Sequence, residues 1–180
     1  IYLAPVEEYA FMLLQPVLTV LWVVLLRSRR SQTGATHPAE NGTWAALSVR
    51  TRVGGVLSAV SVGLVGAVLL LSDPTFYIGA ILAWASPVLA VQWAFGWPYL
   101  WRNRRLFALA VGVPTVYLAA ADRIAIELGI WSLSSEYTTG LLVAGLPIEE
   151  GAFFLVTNVF VVQGLLLYLW VVDPATSVNY

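Results

Sequence analysis

The chain has 180 residues, 59% of them hydrophobic and 11% charged, and its mean hydropathy of +0.82 lies outside the range of soluble domains and points to a bilayer. All nine cationic residues are arginines and the net charge is −1, which excludes lysine imine chemistry and gives no basic footprint for nucleic acid. With no cysteine and one histidine, His37, in the polar stretch HPAENGT, there is no disulfide framework, thiolate nucleophile, or His- or Cys-built metal or haem site.

A spanning helix needs about 20 apolar residues, and the runs that meet this length fall near 6–27, 53–71, 76–101, 106–128 and 139–172. They predict an all-α, polytopic transmembrane bundle of about five helices. Apolar and polar residues do not alternate, so a transmembrane barrel is not expected. The fifth run exceeds one span, so it must tilt, break at Pro147 or emerge from the bilayer. Arg27, Arg29, Arg30, Arg50 and Arg52 flank the 28–52 loop, and Arg102, Arg104 and Arg105 follow the third run. The connections SDPT (72–75) and GIWSLSSEY (129–137) carry acids and no cation, so the arginine side is expected to be cytoplasmic in a multi-pass cell-membrane protein. The sequon Asn41-Gly42-Thr43 then lies in a cytoplasmic loop and is not expected to be glycosylated.

PVEEYAFM at 5–12 and PIEEGAFF at 147–154 share Pro, Glu, Glu, Ala and Phe at an offset of 142 residues, which marks an internal repeat. Only IYLA precedes the first copy, and Ile1 starts almost on the motif with no secretory signal. The first copy therefore reads as truncated. On this reading residues 1–27 are the last helix of a first repeat and 28–52 a cytoplasmic loop. Residues 53–172 are a complete second repeat, and 173–180 a tail. The helices absent from the first repeat, or a partner subunit, are expected partners. Sites in repeat-built membrane proteins lie at the repeat interface, so the two PxEE helices are expected to meet there.

The glutamates Glu7, Glu8, Glu149 and Glu150, with Asp122, are expected at similar depths in the outer half and able to share one cavity. Adjacent helical residues point about 100° apart, so one carboxyl of each pair enters the cavity squarely. Pro147 permits a kink that frees a carbonyl. Carboxyls crowded in an apolar pocket cannot all ionise, so one holds its proton as a buried acid. Arg123, beside Asp122 with Glu127 four residues on, forms either a structural ion pair or part of the site. Trp84, Trp93, Trp97, Trp101, Trp131, Phe153 and Phe154 offer π faces to a carbocation, or serve as interfacial belt and packing.

Asp122, Gly129-Ile130-Trp131, Gly140, Pro147-Ile148-Glu149-Glu150 and Phe153-Phe154 together resemble the signature of the lycopene cyclase domain, a membrane-integral, flavin-independent carotenoid cyclase. PVEEYAFMLLQP resembles the end of the first domain in its tandem form. The resemblance implies a lycopene beta-cyclase that turns linear ψ ends into β-ionone rings by protonation and non-redox cyclisation. It implies Glu149 and Glu150, with Glu7 and Glu8, as the acid and its partners, Asp122 as base or cation stabiliser, and Arg123 as counter-ion. Trp131, Phe153, Phe154, Phe11, Trp97 and Trp93 become the substrate-binding set. Lycopene or a related acyclic carotenoid enters laterally from the lipid bilayer. No metal and no cofactor is expected, and no G-x-G-x-x-G fingerprint opens a helix for a flavin. A carotenoid hydratase, in which water captures the cation, and a proton-coupled transporter are the alternatives. The second would need ionisable residues in the inner halves of the helices, which carry almost none.

Overall fold

Long apolar runs can satisfy their backbone amides in a bilayer only by coiling into helices or closing a barrel, and without alternation only the helix remains. The computed structural model describes residues 6–32, 47–130 and 132–172, with the side chains of 6–8 and 30–32 outside the description. Its five long helices are α1 (Val6–Gln32), α2 (Val49–Leu69), α3 (Phe76–Arg102), α4 (Arg104–Glu127) and α5 (Ile148–Val172). Each is long and apolar enough to cross a membrane. At about 1.5 Å per residue they measure roughly 32 to 40 Å against a hydrocarbon core of about 30 Å. The surplus explains why Arg29, Arg50 and Arg52 sit on helix ends and not in the loop expected over 28–52: long basic side chains reach water from a helix that overruns the apolar core. His37, Trp131, the 41–43 sequon and the 173–180 tail lie outside the described residues.

The tightest pairing is the α2/α3 hairpin, closed by a short 3-10 turn at Asp73–Thr75. Small residues let the two backbones touch. A Cβ on Gly66 would lie 2.5 Å from Ala83 N, and one on Gly55 2.7 Å from Trp93 O. Ser48 caps α2 by accepting from Thr51 N at 3.2 Å. In α3, Gly96 departs from helical geometry two residues before Pro98. Pro98 cannot donate to the carbonyl of Ala94, and Arg52 Nη1 donates to that oxygen instead, at 3.3 Å. The bare Gly96 also admits α5, because a Cβ there would lie 2.5 Å from Leu167 Cδ2. Trp170 then stacks on Tyr99 with centroids 4.7 Å apart. Val23, Leu106, Val162 and Leu166 complete this core near the arginine end, whereas Leu13, Leu64, Val91 and Val116 face outward as a lipid-facing surface would.

The helix α1 packs against α4 and α5. Trp22 Nε1 donates to Leu109 O at 3.1 Å. Below the acidic end runs a buried polar ladder. Gln15 Nε2 donates to Thr157 Oγ1, Thr19 Oγ1 donates to Asn158 Oδ1 at 2.6 Å, and Asn158 Nδ2 donates to Thr115 Oγ1 at 3.1 Å. Gln15 and Thr157 are 142 positions apart, the offset that aligns the two PxEE motifs.

The fifth run differs from its expected extent. Gly140, Ala144 and Gly145 have φ of 71°, 51° and 83°, left-handed values that no helix accommodates. They shape a loop and a small antiparallel hairpin, β1 (Leu142–Val143) with β2 (Leu146–Pro147). Ala144 and Gly145 supply the two left-handed positions of a tight hairpin turn. The helix therefore starts at Ile148. Pro147 lies before it, paired with Leu142, and neither kinks α5 nor frees a carbonyl within it.

Candidate functional site

Because the hairpin delivers the chain to Ile148, Glu149 and Glu150 fall in the first turn of α5, where unpaired backbone N–H groups and the helix dipole favour negative charge. Glu149 is fully buried. Its Oε1 accepts two hydrogen bonds from Thr139, one from the backbone N and one from Oγ1, both 2.7 Å long. Its Oε2, also buried, meets no hydrogen-bond partner among the described residues. Glu150, one position on and rotated about 100° around the helix, accepts through Oε1 from the Tyr77 hydroxyl at 3.1 Å.

Tyr77 stands in the first turn of α3 and joins the parts of the site. Its backbone N donates to Tyr137 O at 3.1 Å, and Phe76 packs edge-on against Tyr137 at 5.8 Å, which ties the 132–141 loop to α3. Asp122, 4% exposed near the end of α4, and Glu149 both act electrostatically on the Tyr77 hydroxyl. Three carboxyls from α4 and α5 thus gather around one phenol on α3. Among the described residues they do not form a cluster of metal-binding geometry.

Below the carboxyls, Phe153 occupies the position four residues after Glu149, on the same helical face. Phe154, 3% exposed, meets Phe153 edge-on at 5.9 Å and Phe11 of α1 at 5.8 Å. These three rings form an aromatic floor. The backbone of Glu7 and Glu8 belongs to α1, and their side chains lie outside the described residues, as does Trp131.

Arg123 pairs with Glu127, four residues on. Its Nε and Nη2 donate to Glu127 Oε1 at 3.0 and 2.8 Å, with the arginine side chain 46% exposed. Adjacent residues on a helix cannot share a face, and position 127 lies directly over position 123. The guanidinium also lies over the hairpin turn, where a Cβ on Gly145 would come within 3.2 Å of Arg123 Nε. This is an exposed i,i+4 pair, worth about 0.3–0.5 kcal/mol, that holds the end of α4 against the hairpin.

The tryptophans of α3 lie elsewhere. Trp84 packs on Phe160 at 5.2 Å. Trp93 and Trp97 line a cavity of about 580 Å³ near the arginine end, together with Trp101 and Arg104. The path from Tyr77 to Trp97 along α3 is about 30 Å at about 1.5 Å per residue, so the cavity ring Trp97 lies far from the carboxyl cluster.

Two groups in the site carry no distinguishing signal in the sequence. Tyr77 at a helix end reads as an interfacial aromatic, and Thr139 as an ordinary loop threonine. The ladder residues Gln15, Thr19, Thr115, Thr157 and Asn158 did carry one, since amides and hydroxyls inside apolar runs seek partners across helices.

Over 167 residues, 93% of the chain, the sequence is 59% identical to the lycopene beta-cyclase of Halobacterium salinarum. It is 33% identical over 178 residues, 98% of the chain, to the bifunctional lycopene cyclase/phytoene synthase of Aspergillus oryzae, of which it covers 29%. Against the protein of the same description from Blakeslea trispora it is 33% identical over 160 residues, covering 88% of the chain and 26% of that relative. The chain spans 66% of the length of the Halobacterium relative. No family model and no solved structure matches it. Identity of this extent along nearly its whole length makes the chain a member of the lycopene cyclase family.

Proposed function

We propose that this chain carries the proton-transfer centre of a lycopene beta-cyclase, closing the linear ψ ends of an acyclic carotenoid into β-ionone rings. The observation that carries the reading is the fully buried Glu149, hydrogen-bonded through one oxygen and unpartnered among the described residues at the other, with Asp122 and Glu150 gathered at the same phenol. The names of the 59% and 33% identical relatives support the same substrate class.

Glu149 donates its proton to the less substituted carbon of the terminal alkene, leaving a tertiary cation. The neighbouring double bond attacks that cation through one of its carbons and closes the six-membered ring, leaving the positive charge on the other carbon of that double bond. Asp122 then takes a ring proton, and the new ring alkene forms. One proton enters and one leaves, so the reaction is an isomerisation with no redox change. Tyr77 holds the Glu150 carboxyl in place, and Phe11, Phe153 and Phe154 offer π density to the cation. Arg123, engaged by Glu127, supports the site's outer wall.

Trp93 and Trp97 have a separate role. A carotenoid comparable in length with the bilayer core of about 30 Å has one end at Glu149 while its other end reaches their cavity. The helix α1 serves as the last helix of a first repeat, with Glu7 and Glu8 as its counterparts of Glu149 and Glu150, and the arginine end faces the cytoplasm of a cell membrane.

The test is pigment analysis of lycopene-accumulating bacteria expressing the chain, alone and together with an upstream cyclase repeat. A cyclic carotene is expected, lost by about 100-fold or more in Glu149→Gln while the protein still inserts. Unchanged lycopene in both settings would contradict the reading, and a hydroxylated acyclic product would make the chain a hydratase.

A further inference from the structure

We infer that Thr139 is a positioning residue that fixes the Glu149 proton on Oε2 and thereby selects Glu149, not Glu150, as the acid; the inference rests on the cyclase reading above. Among the described residues one arrangement satisfies every hydrogen-bonding group of Thr139. Its backbone N–H can only donate, and it donates to Glu149 Oε1 at 2.7 Å. Its Oγ1 accepts from Leu141 N at 3.3 Å, and among the described residues Glu149 Oε1, at 2.7 Å, is the acceptor for its single hydrogen; the reverse direction would leave that hydrogen unpaired. An oxygen that accepts two such bonds has no room for a proton of its own.

When Glu149 is protonated, the hydrogen therefore sits on Oε2, which is buried and without a hydrogen-bond partner among the described residues. A proton with no competing acceptor is available to a hydrocarbon, the weakest of bases. After transfer the O–H bond at Oε2 has broken, a C–H bond has formed on the substrate, and the carboxylate left behind keeps both Thr139 donors. The anchor thus stabilises the product side of the step more than the reactant side, which is the requirement for a contribution to rate. Glu150 sits in a different environment, since its Oε1 accepts from the Tyr77 phenol.

The loop is shaped for this purpose. Gly140 directly after Thr139 has φ of 71°, a conformation that turns the backbone so that Leu141 N reaches back to Thr139 Oγ1. Leu141 O in turn accepts from Ile148 N at 3.0 Å, which locks the loop to the start of the helix bearing Glu149.

Two readouts on purified protein in nanodiscs test the assignment. In infrared difference spectra against Glu149→Gln, the Glu149 band of the unmodified chain should be that of a protonated carboxyl with a strongly hydrogen-bonded C=O. In Thr139→Val, which keeps the N–H but loses the hydroxyl, the C=O band should move to higher frequency, and in Thr139→Ser it should stay. With lycopene, Thr139→Val should lower kcat about tenfold or more with KM little changed, and Thr139→Ser should retain activity within about threefold. The inference is overturned if Glu149 shows no protonated band, if the band ignores Thr139→Val, or if Ser and Val fail alike. Should the infrared pattern hold while no version converts lycopene, the proton placement stands and the cyclase reading falls.

Discussion

At Tyr77 a single hydroxyl separates a packed aromatic from a member of the site. It donates to Glu150 at 3.1 Å and feels Asp122 and Glu149, and the ring itself is anchored through the start of α3. Tyr77→Phe keeps the ring and removes one hydrogen bond to an acid, so turnover of lycopene is expected to fall about tenfold with little change in thermal stability. An unchanged rate would remove Glu150 and its phenol partner from the account. Glu149, Glu150 and Asp122 were legible in the sequence because an ionisable group inside an apolar run is costly and demands a reason. The partners of those groups were not. Thr139 is turned onto Glu149 by the left-handed Gly140 beside it, and Tyr77 reaches Glu150 from 73 positions away, so the composition around the carboxyls records neither. Arg123 was legible as charged and costly, but its direction followed from helical geometry that favours Glu127 over Asp122.

At the level of elements, apolar run length located all five helices, and failed where backbone conformation took over. Residues 139–147 are apolar enough to extend a span, yet Gly140, Ala144 and Gly145 turn them into a loop and hairpin that place Thr139 against Glu149. The contact of α1 with α5 was foreshadowed by the repeat, and the polar ladder gives it a register. Thr115 donates to Val111 O at 2.8 Å, and the single hydroxyl hydrogen of Thr19 has Gln15 O, at 3.0 Å, as a second acceptor in its own helix, so neither is orphaned when Asn158 is removed. The ladder should accordingly contribute modestly. A double-mutant cycle of Thr19→Val and Asn158→Leu, read by unfolding in a bilayer mimetic, is expected to give a coupling of about 0.6 to 1.7 kcal/mol. A coupling near zero would remove the Thr19–Asn158 rung from what seats α1.

Across the whole molecule, the carboxyl pocket and the tryptophan cavity lie at opposite ends of α3, about 30 Å apart at about 1.5 Å per residue. That separation suits an elongated hydrocarbon held at both ends. The glycines of α2 make it testable. Gly54 and Gly55 both line the cavity, but a Cβ on Gly55 would strike Trp93 O at 2.7 Å, whereas one on Gly54 meets nothing within 4 Å. Gly54→Phe should therefore fold and fill the space. KM for a full-length acyclic carotenoid should rise about tenfold or more, while a half-length polyene with the same ψ end should be converted as before. Equal effects on both substrates, or none, would detach the cavity from the substrate path.

The central claim is that a carboxyl proton enters the carbon skeleton as the ring closes. Purified protein converting lycopene in D2O, with products analysed by mass spectrometry and NMR, tests it most directly. One deuterium per ring is expected, at the alkene carbon that becomes a ring methylene, and Glu149→Gln should yield no labelled ring. Rings formed without deuterium, or labelled rings formed at full rate by Glu149→Gln, would contradict the account.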